Sequence, residues 1–175
     1  MKNNQTMVVP IRCGYGMKWG LTSVFLILAA FSICSAEQFC IEDESLKPVP
    51  AVVVRTILAT EKDSDWKTCK FIGKQIDLDG QGKAEDYVVT TADGCLCGNV
   101  LCTIWVLRRT GGSYVVVLSD GGYSMKLLKQ RHNGLADIFL EASSAGWSQQ
   151  SSWQFDGKRY VRVKQKIETQ DSLYR

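Results

Sequence analysis

From Trp66 onward the chain is a succession of short apolar and β-branched runs broken by glycine-bearing punctuation. Strands are predicted over residues 70–78, 86–91, 101–109, 113–119, 124–130, 135–141, 147–155 and 159–166. Between them stand Thr110-Gly111-Gly112, Asp120-Gly121-Gly122, His132-Asn133-Gly134 and Asp156-Gly157-Lys158, each a hairpin-type turn that sends the chain back antiparallel. Strands recurring roughly every eight to twelve residues imply an all-β antiparallel meander, arranged as a sandwich or as propeller-like blades. Residues 114–118 are apolar throughout, which places that strand in the middle of a sheet. Ahead of the strands one element has another period. Val53, Val54, Ile57 and Leu58 share a helical face, and Pro50 suits a first turn, so one short N-terminal helix is expected to about Glu61.

The start of the chain reads differently. Lys18 precedes a largely apolar run over 21–33, and Cys34-Ser35-Ala36 follow it. The run is short for a membrane span, so residues 1–36 read as a secretory signal and 37–175 as one β domain, with no membrane span after cleavage. Lipidation at Cys34 is the rival, disfavoured by the bulky Ile33 before it. The leader holds three of the 21 basic residues, Lys2, Arg12 and Lys18, and none of the 18 acidic ones. The mature chain is therefore balanced in charge, and nucleic-acid binding loses its electrostatic basis. A periplasmic or secreted location makes disulfides the default for Cys40, Cys69, Cys95, Cys97 and Cys102. Cys40 is expected to pair with Cys69, and Cys102 with Cys95 or Cys97, leaving one thiol over. A metal site on Cys95, Cys97 and Cys102 lacks a fourth ligand.

Oxygen-bearing residues are concentrated in one loop. Asp77, Asp79, Gln81, Lys83 and Glu85 alternate around Gly80 and Gly82, with Asp86 competing for the last place. If the loop curls, these positions converge as a Ca2+ site requires, Lys83 contributing its backbone carbonyl. The pattern DxDGxGxxED followed by YVV resembles the calcium loops of FG-GAP and VCBS-type β-repeats. With a Cys-Gly cluster, WVL and WQFDGKRYVRV after it, the stretch from about Trp66 to Val163 is similar to small exported bacterial inhibitor and immunity proteins of the type VI secretion kind. Gln81 departs from the Asp or Asn usual in such loops.

Parts for catalysis are few. His132 is the single histidine and sits in a turn, where its ring is expected to be solvated. Asp137 and Glu141 fall on one face of a strand, where both read as solvated polarity rather than a glycosidase pair. No glycine-rich loop precedes a helix to cradle phosphate. Trp66, Trp105, Trp153, Phe155 and Tyr160 read as packing. Surface recognition remains, through Ser119, Asp120, Gly121, Gly122 and Tyr123 and through Ser143, Ser144, Gly146 and Trp147, where small polar residues adjoin an aromatic anchor. The resemblance makes the partner a cell-wall hydrolase and the protein an inhibitor, not an enzyme. A calcium-binding adhesive module and a small hydrolase are the alternatives.

Overall fold

The structure is a computed structural model that describes residues 37–98, 101–144 and 146–169. The signal sequence expected over 1–36 lies outside the described residues. The described elements are β1 (Gln38–Cys40), β2 (Lys47–Pro48), α1 (Ala51–Thr60), a 3-10 turn at Ser64–Thr68, β3 (Phe71–Ile76), β4 (Asp86–Thr91), a 3-10 turn at Ala92–Gly94, β5 (Cys102–Thr110), β6 (Ser113–Gly122), β7 (Ser124–His132), β8 (Leu135–Ser144), β9 (Trp147–Phe155) and β10 (Tyr160–Thr169). Every predicted strand is present, and β1 and β2 are added. Their few residues carry too short an alternation to be read locally.

The strands form two open antiparallel sheets in the orders β1-β7-β8-β9-β10 and β2-β3-β4-β5-β6, and neither closes into a barrel. Apart from β1, every strand pairs with a strand adjacent in sequence, while the one-residue link at Tyr123 carries the chain from β6 into the other sheet. At His132-Asn133-Gly134 the turn needs two left-handed residues, and Asn133 and Gly134 supply φ values of 47° and 86°.

Asp120-Gly121-Gly122 does not form the expected turn. The segment is the end of β6, which runs to Gly122 before Tyr123 carries the chain into β7 of the other sheet. At Gly122 an added Cβ would lie 2.9 Å from Ile104 Cδ1 on the neighbouring strand and 3.5 Å from the Glu141 carbonyl of the other sheet, which leaves little space for a side chain. A second expectation also fails, since β6 ends its sheet instead of lying within it. Its apolar run is explained by cover from two sides. Val117 and Leu118 enter the core between the sheets, while Tyr114 and Val116 pack beneath α1.

Two apolar clusters follow. Between the sheets lie Phe39, Ile76, Leu78, Val88, Ile104, Val106, Met125, Ile138, Leu140, Trp153, Phe155 and Tyr160. On the other face of the second sheet, Val53 and Ile57 of α1 pack with Phe71, Val89, Trp105 and Leu107. Trp105 is fully buried, edge-on to Trp66 at 5.0 Å and Phe71 at 5.6 Å, and its Nε1 donates to Glu61 Oε1 at 2.7 Å. Among the described residues, which belong to one compact unit, no helix is long and apolar enough to cross a membrane.

Among the described residues the disulfides are Cys69–Cys95 and Cys97–Cys102, and Cys40 is free and buried. The expected Cys40–Cys69 pair is therefore corrected. Cys40 lies opposite Ser124 at the edge of the first sheet, whereas Cys69 lies just before Lys70 and β3 of the second and packs with the α1 cluster. Of the two partners open to Cys102, it takes Cys97.

Candidate functional site

The acidic loop between β3 and β4 is held by its own backbone. Asp77 Oδ1 accepts the N–H of Gly80 at 2.7 Å and Oδ2 that of Gly82 at 2.8 Å, while Asp79 Oδ1 accepts from Gln81 at 3.1 Å. Glu85 turns outward to Arg109 at 3.2 Å, and the Lys83 carbonyl takes the Glu85 N–H. Asp86 points inward, is 8% exposed, and accepts from Leu78 N at 3.2 Å and Arg109 N at 2.8 Å. Arg131 arrives from β7 and lies against Gly80, where an added Cβ would be 1.9 Å from its Nη2.

This arrangement overturns the Ca2+ site. Asp77, Asp79, Gln81, Lys83, Glu85 and Asp86 do not turn their oxygens to one point, and among the described residues no group of three or more His, Cys, Asp or Glu side chains is placed to hold a metal ion. The physical reason is competition. Amide N–H groups occupy the oxygens of Asp77, and a guanidinium stands beside the loop where a cation would need an oxygen-rich surround. The loop instead clasps the two sheets. Leu78 is fully buried between them, and its carbonyl accepts from Ala136 N at 2.8 Å and Arg131 Nη1 at 2.9 Å.

Asp77 and Asp86 titrate in opposite senses. Burial pushes Asp77 up, but the N–H donors, led by Gly82, outweigh it and hold the carboxyl below the usual range. At Asp86 burial wins over the N–H groups of Arg109 and Leu78 and raises the carboxyl. Five of the six expected ligands, Asp79, Gln81, Lys83, Glu85 and Asp86, line one polar cavity of about 170 Å³, but Arg108 and Arg109 line it with them and bring positive charge where a cation would sit.

His132 and Asp137 were both expected to be solvated, and the structure joins them. His132 Nδ1 is 2.7 Å from Asp137 Oδ1, and Gln154 Nε2 donates to Oδ2 at 3.4 Å. Asp137 is 4% exposed, while the imidazole is close to half exposed. Asp137 is the ring's one side-chain partner among the described residues, so the arrangement is an oriented base without a nucleophile beside it. Glu141 sits apart, receiving the Ser124 hydroxyl at 3.1 Å and Lys126 Nζ at 3.5 Å.

The two recognition segments have different fates. Ser119 is exposed at the edge of β6, but Gly122 is buried and Tyr123 donates its hydroxyl to Glu42 Oε2 at 2.6 Å. Asp120 Oδ1 accepts from Gly121 N, and Oδ2 is a buried oxygen without a hydrogen-bond partner. That segment is a corner between sheets, not a tip. Ser143, Ser144, Gly146 and Trp147 do form the tip of the β8–β9 hairpin, with Ser143 and Gly146 exposed and Trp147 half-buried.

Around Trp147 the register assembles a surface that sequence reasoning missed. Along β9 one face is buried at Phe155, Trp153 and Ser151, then opens toward solvent at Gln149 and Trp147. On β10, Ile167 lies opposite Gln149 and is 58% exposed. Trp147 and Ile167 are thus diagonal neighbours on one face, close enough for such side chains to meet. The face belongs to the inner side of its sheet and runs out past the cover of the other. Counting from the Asp156-Gly157-Lys158 turn would put Ile167 on the opposite face, opposite Ser148. The bulge between Arg162 and Lys164 shifts the register by one and brings it round.

No protein-family model, curated protein or solved structure matches this chain.

Proposed function

We propose that this is an exported binding protein that inhibits another protein, and that the partner is a peptidoglycan-degrading enzyme. The observation that carries the binding reading is the uncovered end of β8, β9 and β10. There Trp147 and Ile167 offer apolar surface beside Ser143, Ser144 and Gln149 on a rigid hydrogen-bonded ladder. An aromatic anchor with small polar neighbours suits protein recognition, because the ring supplies area at little conformational cost. Two disulfides favour a scaffold for an oxidising compartment. The identity of the partner class rests on the similarity of the chain's layout to exported inhibitor and immunity proteins.

The test mixes the chain from Glu37 onward with purified amidases and muramidases. A stable complex on size exclusion with loss of lytic activity is expected, and Trp147→Ala with Ile167→Ser removes both. Full lysis and separate elution across the panel sink the proposal.

One observation favours a second reading, a small hydrolase: the buried Asp137 orients His132 as a general base requires. Hydrolysis of a wall fragment by the isolated protein, lost in His132→Ala, would establish it.

A further inference from the structure

The two sheets have four edges, and the chain blocks three of them by familiar means. β1 and β2 are three and two residues long, and β2 ends in Pro48. β10 is ten residues long but carries Arg162, Lys164, Lys166 and Glu168 and a bulge. Shortness, proline, charge and bulges are how proteins stop an exposed row of N–H and C=O groups from recruiting another strand. β6 is equally long, and from Ser113 to Ser119 it holds no charge and no proline. Within that stretch its only such device is the bulge at Val117, between the pairs Val106–Leu118 and Leu107–Val116, and Asp120 lies beyond it. The stretch from Ser113 to Val116 therefore presents a regular, uncharged edge.

Beside that edge lies a groove of about 430 Å³ between α1 and β6, a volume within the usual range for ligand sites. Val52, Ala59, Tyr114, Val115 and Val116 make its apolar wall, with Val52 37% and Val115 48% exposed. Arg55 is its one charged lining residue and forms no ion pair among the described residues. We infer that the Ser113–Val116 edge and the α1–β6 groove take an extended segment of another protein. That segment adds as a further antiparallel strand, with apolar side chains entering the groove and a carboxylate reaching Arg55. Main-chain pairing supplies the attraction and the alternate side chains the selectivity. Charge complementarity separates this occupant from a second copy of the chain. Antiparallel pairing of Ser113–Val116 with itself delivers no carboxylate to set against either Arg55, since Asp120, the one acid of β6, lies beyond that stretch and accepts from Gly121 N.

This surface lies on the sheet opposite the Trp147 tip, so the two sites are tested by different substitutions. The probe is an end-blocked heptapeptide alternating valine and threonine with a central glutamate, and its control carries lysine in that place. Saturable binding of the glutamate peptide to the chain from Glu37 onward is expected. Amide exchange over Ser113–Val116 should slow by tenfold or more at saturation, and the lysine peptide should bind at least tenfold more weakly. Arg55→Glu, at an exposed helix position, should reverse that preference, and Val115→Lys should abolish binding of both, whereas Trp147→Ala should leave it unchanged. No binding, or equal binding of the two peptides, overturns the inference. So does concentration-dependent self-association removed by Val115→Lys, which would assign the edge to a second copy.

Discussion

At the scale of single residues, carboxylates close together in sequence do unlike work because of what donates to them. Asp77 is held ionised by N–H groups, so its stabilisation is present above the unfolded carboxylate value, about pH 4, and is lost as pH falls through the lower folded one. Asp86 is held toward its neutral form by burial, so its contribution is full below about pH 4 and is lost as pH rises through the higher folded value. Urea unfolding against pH should show this. The advantage of wild type over Asp77→Asn grows as pH rises through the acid range, whereas that over Asp86→Asn shrinks, and parallel profiles would refute the assignment. Asp77→Ala should cost about 1 kcal/mol and Asp86→Ala about 3 kcal/mol, because the second leaves two amide groups without an acceptor at a buried site. Added calcium should leave both midpoints and the wild-type melting temperature unchanged. Asp77 and Asp79 were legible as a loop signature, but their use was not: Arg131, which faces Gly80, is some fifty positions away and no local pattern ties it there.

At the scale of elements, the disulfides and the bulge carry the lesson. Cys69–Cys95 spans 26 positions and Cys97–Cys102 only 5. Loop-closure entropy then predicts losses of about 3.5 and about 2 kcal/mol when each is replaced by serines, read as shifts in the urea midpoint at unchanged slope. Equal losses, or a larger one for the short loop, would point to strain or residual structure in the unfolded chain. One thiol, Cys40, should react with a thiol reagent only after unfolding, since it is 3% exposed. The hairpin turns were readable because Asn133 and Gly134 answer a backbone need met within four residues. The bulge at Arg162 and Lys164 was not, although it decides which face Ile167 occupies.

At the scale of the molecule, the second sheet is covered on both faces, and Trp105 is the residue on which the outer layer closes. Trp105→Ala should cost about 4 kcal/mol, by loss of the ring contacts to Trp66 and Phe71 and of the bond to Glu61. Trp147→Ala should change stability by no more than about 0.5 kcal/mol while removing partner binding. A large loss of stability there would make Trp147 a packing residue and leave the proposed surface without its anchor. The contrast follows from cover: one tryptophan lies between a helix and a sheet, the other where a sheet runs out beyond its partner.

The strand and helix pattern, three of the four expected tight turns and the all-β class are properties of residues near one another in the chain, governed by side-chain period and by the few residues that accept a positive φ. Sequence alone therefore determined them. Which strands stand at an edge, which cysteines meet, that His132 finds Asp137, and that the acidic loop spends its oxygens on amides depend on groups brought together from distant positions. Those were settled only when the two sheets packed, because burial and hydrogen-bond competition are decided by neighbours in space.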